Sequence, residues 1–388
     1  MKFKIKTLNN ISAEGLGRFN RGSYDVGNDH EDPDAIIVRS YNMREYKLNK
    51  GLKVVGRAGA GVNNIPLERC AELGIPVLNT PGANANAVKE ITIAGLFLAS
   101  RDIYAGISFV DSIRDKGDKI AKIVEKEKKR FIGVEIKGKK IGILGLGAIG
   151  GQVANACVDL GMEVYGHDPF MSEEDIGRLN VNVRKVESLE GMLGMVDFLS
   201  VHVPLSDKTK NIIDISELKQ MKKGVRILNF SRDGVINTQG IRNAIEDGIV
   251  SCYVTDFPNG SLVGTSNVIC LPHVGASSRE AEINCSTMIS SQIIDFLENG
   301  NLINSVNFPN VSLPRTTNTR LTIANKNIPG MVGQISNILA GENINITGMV
   351  NKSRGEYAYN IFDLKSDYRC DLMSKIKNID GIFSIRFI

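Results

Sequence analysis

The chain has 388 residues, of which 42% are hydrophobic and 23% are charged, values that are ordinary for a globular protein of two or three domains. The net charge of +4 is small for this length and gives no indication of nucleic-acid binding. The N-terminus MKFKIKTLNN lacks an apolar signal-type core and no apolar run reaches membrane-spanning length, so we expect a cytoplasmic protein without membrane contact. The six cysteines form no C-x-x-C pair, so we expect neither disulfides nor a metal site.

Strand and helix patterns alternate through most of the chain. DAIIVRS (34–40) is predicted as a buried strand, and LKVVGRAGAGVNNIPLERCAELGIPVLNT (52–80) as strand, glycine loop, helix and strand. KKIGILGLGAIGGQVANACVDLGMEVYGHDP (139–169) repeats that plan, and four short β-rich runs follow: DFLSVHVP, VRILNFS, SCYVTDF and NVICLPH. This alternation predicts an α/β fold with parallel sheets covered by helices.

The C-terminal region has a different pattern. A helix with an apolar face from Cys285 to Leu297 ends at Gly300, and a segment rich in Asn, Pro, Ser and Thr then indicates a linker over 306–319. The last 69 residues read as strand, helix, two strands around the turn SRGE, helix and strand. This order, βαββαβ, predicts a ferredoxin-like module that serves binding or assembly.

The glycine motif GLGAIG predicts a dinucleotide site. It contains Gly145, Gly147 and Gly150, follows the strand KIGIL and precedes a predicted helix. The next strand ends in Asp168, 23 residues after Gly145, where an acid can bond a ribose hydroxyl. A carboxylate there repels a 2′-phosphate, so we expect NAD rather than NADP. GRAGAG (56–61) has no such acid after its second strand and is predicted to cradle a small anion.

Two further polar side chains follow predicted strands. Arg232 comes after VRILNFS and could clamp a carboxylate, and His273 ends NVICLPH and could move a proton. With VHVP and GLGAIG…HDP, these motifs occur in an order that resembles the NAD-dependent D-2-hydroxyacid dehydrogenases over about the first 305 residues.

Within that family the chain is most similar to the branch that oxidises D-3-phosphoglycerate in L-serine biosynthesis. AIIVRSYNM resembles the segment that holds the substrate phosphate, and the tail resembles an ACT regulatory domain. The resemblance implies a flavodoxin-like substrate domain over 1–97 and 275–305, a Rossmann NAD domain over 98–274, and the ACT domain over 320–388. It also implies a homodimer or homotetramer.

The resemblance implies roles for individual residues. Arg232 would clamp the substrate carboxylate and His273 would be the acid/base. Both are also expected to bind the cofactor, together with Gly145, Gly147, Ala148, Ile149, Gly150, Asp168, Val203, Pro204, Phe230, Ser231, Asp256, Gly275 and Ala276. The expected substrate-binding residues are Arg39, Ser40, Ala60, Gly61 and Asn84. Asn325, Asn327 and Asn345 match positions that contact L-serine in the regulatory domain.

One departure from the family concerns the histidine. The family carries a glutamate that bonds it, whereas VTDFPNGSLVG has Gly260 at about that place. We therefore predict that activity extends to lower pH than a His–Glu pair allows. Two alternatives remain open at this point: a dehydrogenase of another D-2-hydroxy acid, such as glycerate or lactate, and a non-catalytic scaffold that senses NAD.

Overall fold

The computed structural model describes residues 2–365 and 370–388. The chain divides into two compact units, one formed by Met1–Asn84 with Arg279–Ile388 and the other by Ala85–Ser278. Each contains a parallel sheet with helices, and the first also contains an antiparallel sheet. The predicted α/β class with an additional βαββαβ module is therefore confirmed.

The first unit begins with a parallel sheet in the order β2-β1-β3-β4-β5. Its elements are β1 (Phe3–Leu8), α1 (Ala13–Leu16), β2 (Tyr24–Gly27), β3 (Ala35–Val38), β4 (Val54–Arg57), α2 (Leu67–Glu72) and β5 (Val77–Leu78), and the long helix α11 (Arg279–Asn299) packs on β4. A Cβ at Gly56 would lie only 2.6 Å from Ile289 Cγ1, so glycine at this position allows α11 to approach the strand.

The C-terminal module of the first unit has the ferredoxin-like order β14-β15-β13-β16 with antiparallel pairing. Its elements are β13 (Thr319–Lys326), α12 (Met331–Gly341), β14 (Asn345–Arg354), β15 (Tyr357–Lys365), α13 (Cys370–Lys377) and β16 (Ile382–Phe387). Leu321, Ile335, Phe362 and Ile376 belong to its buried core. The predicted strand–helix order agrees with these bounds.

The segment before this module is packed rather than extended into solvent. Phe308 and Val311 are buried, and Leu302 forms a bridge with Val311. The Asn307 side chain donates to Ile75 O at 2.9 Å and accepts from Val77 N at 2.9 Å. The segment is thereby held against the first sheet.

A buried ion pair lies in the C-terminal sheet. Arg320 and Asp363 are both fully buried, and two guanidinium nitrogens donate to the two carboxylate oxygens at 2.6 and 3.0 Å. Thr316 donates to Asp363 as well, while Arg320 Nη1 donates to Asn299 O and Leu313 O. Burial alone would raise the pKa of Asp363, but the hydrogen bonds from Arg320 and Thr316 outweigh it and hold the pKa below its usual value.

The second unit contains a parallel sheet in the order β12-β11-β10-β9-β6-β7-β8. Its strands are β6 (Lys140–Leu144), β7 (Glu163–His167), β8 (Arg184–Lys185), β9 (Phe198–Val201), β10 (Val225–Asn229), β11 (Val250–Thr255) and β12 (Val268–Cys270). The chain order reverses between β6 and β9, which is the kind of switch point where open α/β sheets bind ligands.

Helices flank this second sheet. They are α3 (Ala85–Ser100), α4 (Ile103–Ser112), α5 (Ile120–Glu127), α6 (Gly150–Asp159), α7 (Glu173–Arg178), α8 (Leu189–Leu193), α9 (Ile215–Gln220) and α10 (Thr238–Glu246), with 3₁₀ turns at Arg114–Lys119 and Lys128–Phe131. No single helix in the described residues has the length and composition of a membrane span, although α3 and α4, bent by 69°, pass that test as a pair.

The ion pair in the C-terminal sheet gives a stability prediction. Asp363→Asn leaves the Arg320 charge buried without a counter-ion, so we expect a loss of about 3–5 kcal/mol in the free energy of unfolding, measured by urea denaturation at neutral pH. In the unchanged protein the contribution of Asp363 is present at neutral pH and is lost only as pH falls through its lowered pKa. Glu174→Gln, in an exposed pair with Arg178, is the control and should change stability little. Equal effects of the two substitutions would contradict this account.

Candidate active site

The glycine loop after β6 is a tight strand-to-helix turn. Gly145 has φ 90°, and its N–H donates to His167 O at 2.9 Å. A Cβ at Gly150 would lie 1.8 Å from Gly145 O, so only glycine fits there. A Cβ at Gly147 would meet no atom within 4 Å, which leaves the backbone open to an approaching group. Ala148 and Ile149 complete the loop and lead into α6. The loop fits the pyrophosphate of a dinucleotide.

Asp168 follows β7 and is fixed by the same loop. Its Oδ2 accepts the Leu146 N–H at 2.9 Å and its Oδ1 accepts the Phe170 N–H at 2.9 Å. Each carboxylate oxygen keeps further acceptor capacity for a hydroxyl group. The predicted ribose acid thus lies beside the predicted phosphate loop.

His202 supports the glycine loop and was not singled out from the sequence. It follows β9, its Nε2 lies 2.8 Å from Ser200 Oγ, and its Nδ1 is buried without a partner in the described residues. Burial lowers the pKa of His202 to about 4, so the ring is neutral near pH 7. Its carbonyl oxygen would lie 2.9 Å from a Cβ at Gly145. Val203, which is partly exposed, and Pro204, which is exposed, follow His202 in the chain.

Arg232 lies beyond the end of β10 in a hydrogen-bonded turn. Ser231 donates from its N–H and hydroxyl to Asn229 Oδ1, and Asn229 Nδ2 donates to Arg232 O at 3.0 Å. Phe230 is buried against α3. Among the residues described, no carboxylate forms an ion pair with Arg232. Burial lowers the pKa of Arg232, and the charge of Asp256 opposes that effect.

Asp256 lies at the end of β11 with 1% exposure. Its Oδ2 accepts the Gly275 N–H at 2.8 Å, and its Oδ1 is buried without a hydrogen-bond partner in the described residues. Burial raises the pKa of Asp256, while the Gly275 hydrogen bond and the charges of His273 and Arg232 act in the opposite direction. The unpaired oxygen is an acceptor that a bound amide could satisfy.

His273 is exposed and has an unusual backbone conformation. Its φ is 49°, in the left-handed region that non-glycine residues seldom adopt, and its N–H donates to Leu271 O at 3.1 Å. Its ring lies against Phe257, with ring centroids 4.9 Å apart. No ion pair joins this ring to a carboxylate within the described part of the chain. Ala276 is partly buried two residues beyond Val274.

The predicted phosphate residues belong to the first unit. Arg39 follows β3 and forms an ion pair with Glu282 on α11. The Ser40 N–H donates to Asn9 Oδ1 at 3.2 Å. Arg57 lies in the GRAGAG loop and was not predicted as a site residue. Its Nε donates to Arg39 O at 3.2 Å. Arg39 is thus oriented by an acid that a phosphate would have to displace.

The other predicted substrate residues lie near the end of β4 or after β5. Ala60 O accepts from Asn79 Nδ2 at 2.6 Å, and Gly61 follows in the same loop. The Oδ1 atom of Asn84 is buried without a partner in the described residues. Residues 2–365 and 370–388 contain no group of three or more His, Cys, Asp or Glu side chains placed to hold a metal.

The three predicted regulatory asparagines differ in accessibility. Asn325 has 1% exposure; its Oδ1 accepts from Asn360 Nδ2 at 2.6 Å, and its own Nδ2 donates to Lys326 O. Asn327 is exposed and donates to Gly355 O at 3.0 Å. Asn345 is exposed at the start of β14. Only the latter two present side chains that a ligand can reach.

The sequence and fold were compared with known proteins. The profile of the D-isomer specific 2-hydroxyacid dehydrogenase NAD binding domain matches residues 102–275. The D-3-phosphoglycerate dehydrogenase of Haemophilus influenzae is 30% identical over 349 residues, covering 87% of this chain and 81% of that protein. That of Archaeoglobus fulgidus is 33% identical over 288 residues, covering 72% of this chain and 52% of that protein. The match therefore spans about half the length of this and several other curated relatives.

A solved structure has a similar fold. The crystal structure of NAD⁺-bound 3-phosphoglycerate dehydrogenase from Entamoeba histolytica has a TM-score of 0.62 and 25% identity, and the match covers 79% of this chain and 99% of that chain. The glycine loop and Asp168 lie within the residues that match the NAD-binding domain. The chain belongs to the D-isomer specific 2-hydroxyacid dehydrogenase family, and its NAD-binding domain includes residues 102–275.

Proposed function

We propose that this protein is an NAD-dependent dehydrogenase that oxidises D-3-phosphoglycerate to 3-phosphohydroxypyruvate, the first step of phosphorylated L-serine biosynthesis. One observation carries the proposal. Arg232, Asp256 and His273 follow the three neighbouring strands β10, β11 and β12, at the carboxyl edge of the sheet that bears the glycine loop. A cation, an acid and an imidazole gathered at one edge supply the groups that oxidation of a 2-hydroxy acid requires.

The proposed chemistry is a proton transfer coupled to a hydride transfer. The guanidinium of Arg232, which forms no ion pair with a carboxylate in the described residues, clamps the substrate carboxylate with two hydrogen bonds. The imidazole of His273 accepts the hydroxyl proton from the substrate as the carbonyl forms, and returns it in the reverse direction. Bound NAD⁺ supplies the hydride acceptor. The Oδ1 of Asp256, which has no hydrogen-bond partner in the described residues, would help to hold the cofactor by accepting a hydrogen bond from an amide group.

The phosphorylated substrate is favoured by Arg39 and by the relatives. The matched proteins of H. influenzae and A. fulgidus are both named D-3-phosphoglycerate dehydrogenase. In our proposal Arg39 and Ser40 bind the phosphate, and Ala60, Gly61 and Asn84 contribute the rest of the substrate surface. Glu282 holds Arg39 in place until a dianionic phosphate competes for it.

We further propose a regulatory role for the C-terminal module, as an ACT domain that binds L-serine through Asn327 and Asn345. Asn325 would support that site from within, because its side chain is committed to Asn360 and Lys326. β14 is an exposed edge strand of 10 residues, and an edge of this kind can pair with a second copy. This favours a homodimer or homotetramer, and we propose that the protein is cytoplasmic.

A non-catalytic NAD sensor is the second candidate, and one observation favours it: His273 lacks the carboxylate that fixes the family's histidine. Activity separates the two candidates. Purified protein should oxidise NADH with 3-phosphohydroxypyruvate at least tenfold more efficiently than with hydroxypyruvate or pyruvate, since only the first engages Arg39. NADH binding without turnover of any of the three would leave the sensor. Inhibition by L-serine would support the regulatory site.

The phosphate role of Arg39 has its own test. Arg39→Met should raise KM for 3-phosphohydroxypyruvate by about 10–100-fold and change that for hydroxypyruvate little, because it removes the cation that only the phosphorylated substrate uses. Arg44→Met is the matched control, because Arg44 is exposed in the same unit and its guanidinium donates hydrogen bonds to Asn63 O. Equal losses with both substrates would count against a phosphate site at Arg39.

The carboxylate clamp predicts a steep effect of a conservative change. Arg232→Lys keeps the charge but loses the two-pronged geometry, so kcat/KM should fall by about 100-fold or more in steady-state assays. Arg184→Lys, at an exposed arginine on β8, should leave kcat/KM within twofold by contrast. NADH affinity should be retained in Arg184→Lys. A loss of NADH affinity large enough to explain the fall in kcat/KM of Arg232→Lys would indicate that Arg232 binds the cofactor rather than the substrate carboxylate.

The missing glutamate can be reintroduced. A Cβ at Gly260 meets no atom within 4 Å, and the position has no positive φ, so Gly260→Glu should fold. A carboxylate near an imidazole favours the protonated ring. The acidic limb of the pH–kcat/KM profile for oxidation of D-3-phosphoglycerate should therefore move up by about one pH unit. Gly260→Gln is the isosteric neutral control and should not move it. An unchanged profile in Gly260→Glu would mean that residue 260 does not reach His273.

A further inference from the structure

A cavity of about 300 Å³ lies inside the first unit, where the first sheet meets the C-terminal module. One wall is formed by residues 50–53, before β4, and by the turn after α2. The other wall comes from β16 and the α13 residues Met373 and Lys377. None of the predicted substrate, cofactor or regulatory residues lines it.

The charged side chains that line the cavity are all cations. Lys50, Lys53, Lys377 and Arg386 all face the cavity, and its described lining contains no Asp or Glu. Lys53 is paired with Asp34, which lies outside the lining. For the other three cations, the described residues provide no carboxylate in ion-pair contact. The cavity therefore concentrates positive charge, of which Asp34 compensates a part through its ion pair with Lys53 and its electrostatic interaction with Arg386.

Arg386 is the fixed member of this set. Its guanidinium lies over the Phe296 ring, 4.3 Å from the centroid. Its two terminal nitrogens donate to Phe296 O and Leu297 O, carbonyls in the last turns of α11, at 3.2 and 2.9 Å. Burial lowers the pKa of Arg386, which reflects a cation partly removed from water. An incoming anion would recover part of that lost solvation.

Most of the other residues that line the cavity have apolar side chains, although polar atoms form the larger part of its exposed surface. Phe296, Tyr359, Ile382 and Phe383 are among the cavity residues. The Ser384 hydroxyl is already committed to Gly74 O at 2.9 Å. Several cations beside apolar side chains suit a small organic anion, and this volume is at the small end of ligand sites.

We propose that this cavity binds a small organic oxyanion, a phosphate ester or a carboxylate, held by Lys50, Lys377 and Arg386. Because its walls come from both the first sheet and the C-terminal module, the ligand would fasten the two parts of the first unit together. This proposal is independent of the proposed reaction and concerns binding.

The test uses the full chain and isothermal titration calorimetry at low salt. The ligands used are inorganic phosphate, glycerol 2-phosphate and succinate. We expect at least one of them to bind and to raise the unfolding temperature, with affinity that weakens as salt increases. Preference for the two phosphates would assign a phosphate ester, and preference for succinate a carboxylate.

Charge variants locate the site. Lys50→Glu combined with Lys377→Glu should weaken binding at least tenfold, and Lys50→Gln with Lys377→Gln should weaken it by less. Both lysines are exposed, so they can be changed without loss of packing. Lys352→Glu, at an exposed lysine on β14 outside the cavity, should bind as the unchanged protein does. Arg39→Met should bind equally well, which separates this site from the proposed substrate site.

Two results would overturn the proposal. One is that none of the three anions binds the unchanged protein at millimolar concentration. The other is that the glutamate and glutamine double variants, folded by circular dichroism, bind as tightly as Lys352→Glu. Neither result bears on turnover, so the proposed function can fail or hold separately.

Discussion

The hydrogen bond from the Gly275 N–H to Asp256 Oδ2 joins the end of β11 to the segment that carries His273. It fixes the chain just after His273, whose φ is 49°. That conformation costs free energy and persists only where the surrounding structure imposes it. The same carboxylate interacts electrostatically with Arg232 and His273, so one buried acid sets the charge balance of all three strand ends. The positions of the proposed catalytic groups depend on that acid remaining where β11 ends.

The side chain of His273 is supported by an aromatic neighbour. Phe257 follows Asp256 directly and its ring touches that of His273, so the imidazole is oriented by an aromatic contact. An aromatic ring restricts the orientation of an imidazole but gives no charge that would hold a proton on it. In the described residues this aromatic contact, rather than an ion pair with a carboxylate, restrains the His273 ring.

The sequence predicted the elements whose apolar residues run together or alternate cleanly, such as β3, β6 and the βαββαβ order. It did not predict β1 or β2, because Lys4 and Lys6 interrupt the apolar pattern of β1 and β2 is a four-residue edge strand. The glycine loop and Asp168 could be predicted, since their spacing reflects local backbone geometry. The Arg39–Glu282 pair and the cationic cavity could not, because their partners lie far apart in the chain.

The packing of the first unit limits how the C-terminal module can be exchanged. Ile5 and Val54 of the first sheet, Phe308 of the connecting segment, and Tyr359 and Ile361 of the antiparallel sheet share one buried cluster. Cutting the chain at residue 306, where the composition changes, would separate the residues of that cluster and expose apolar surface on both fragments. The tail is therefore integral to its neighbour. Recombination that swapped it between relatives would have to carry the matching face of the first sheet along with it.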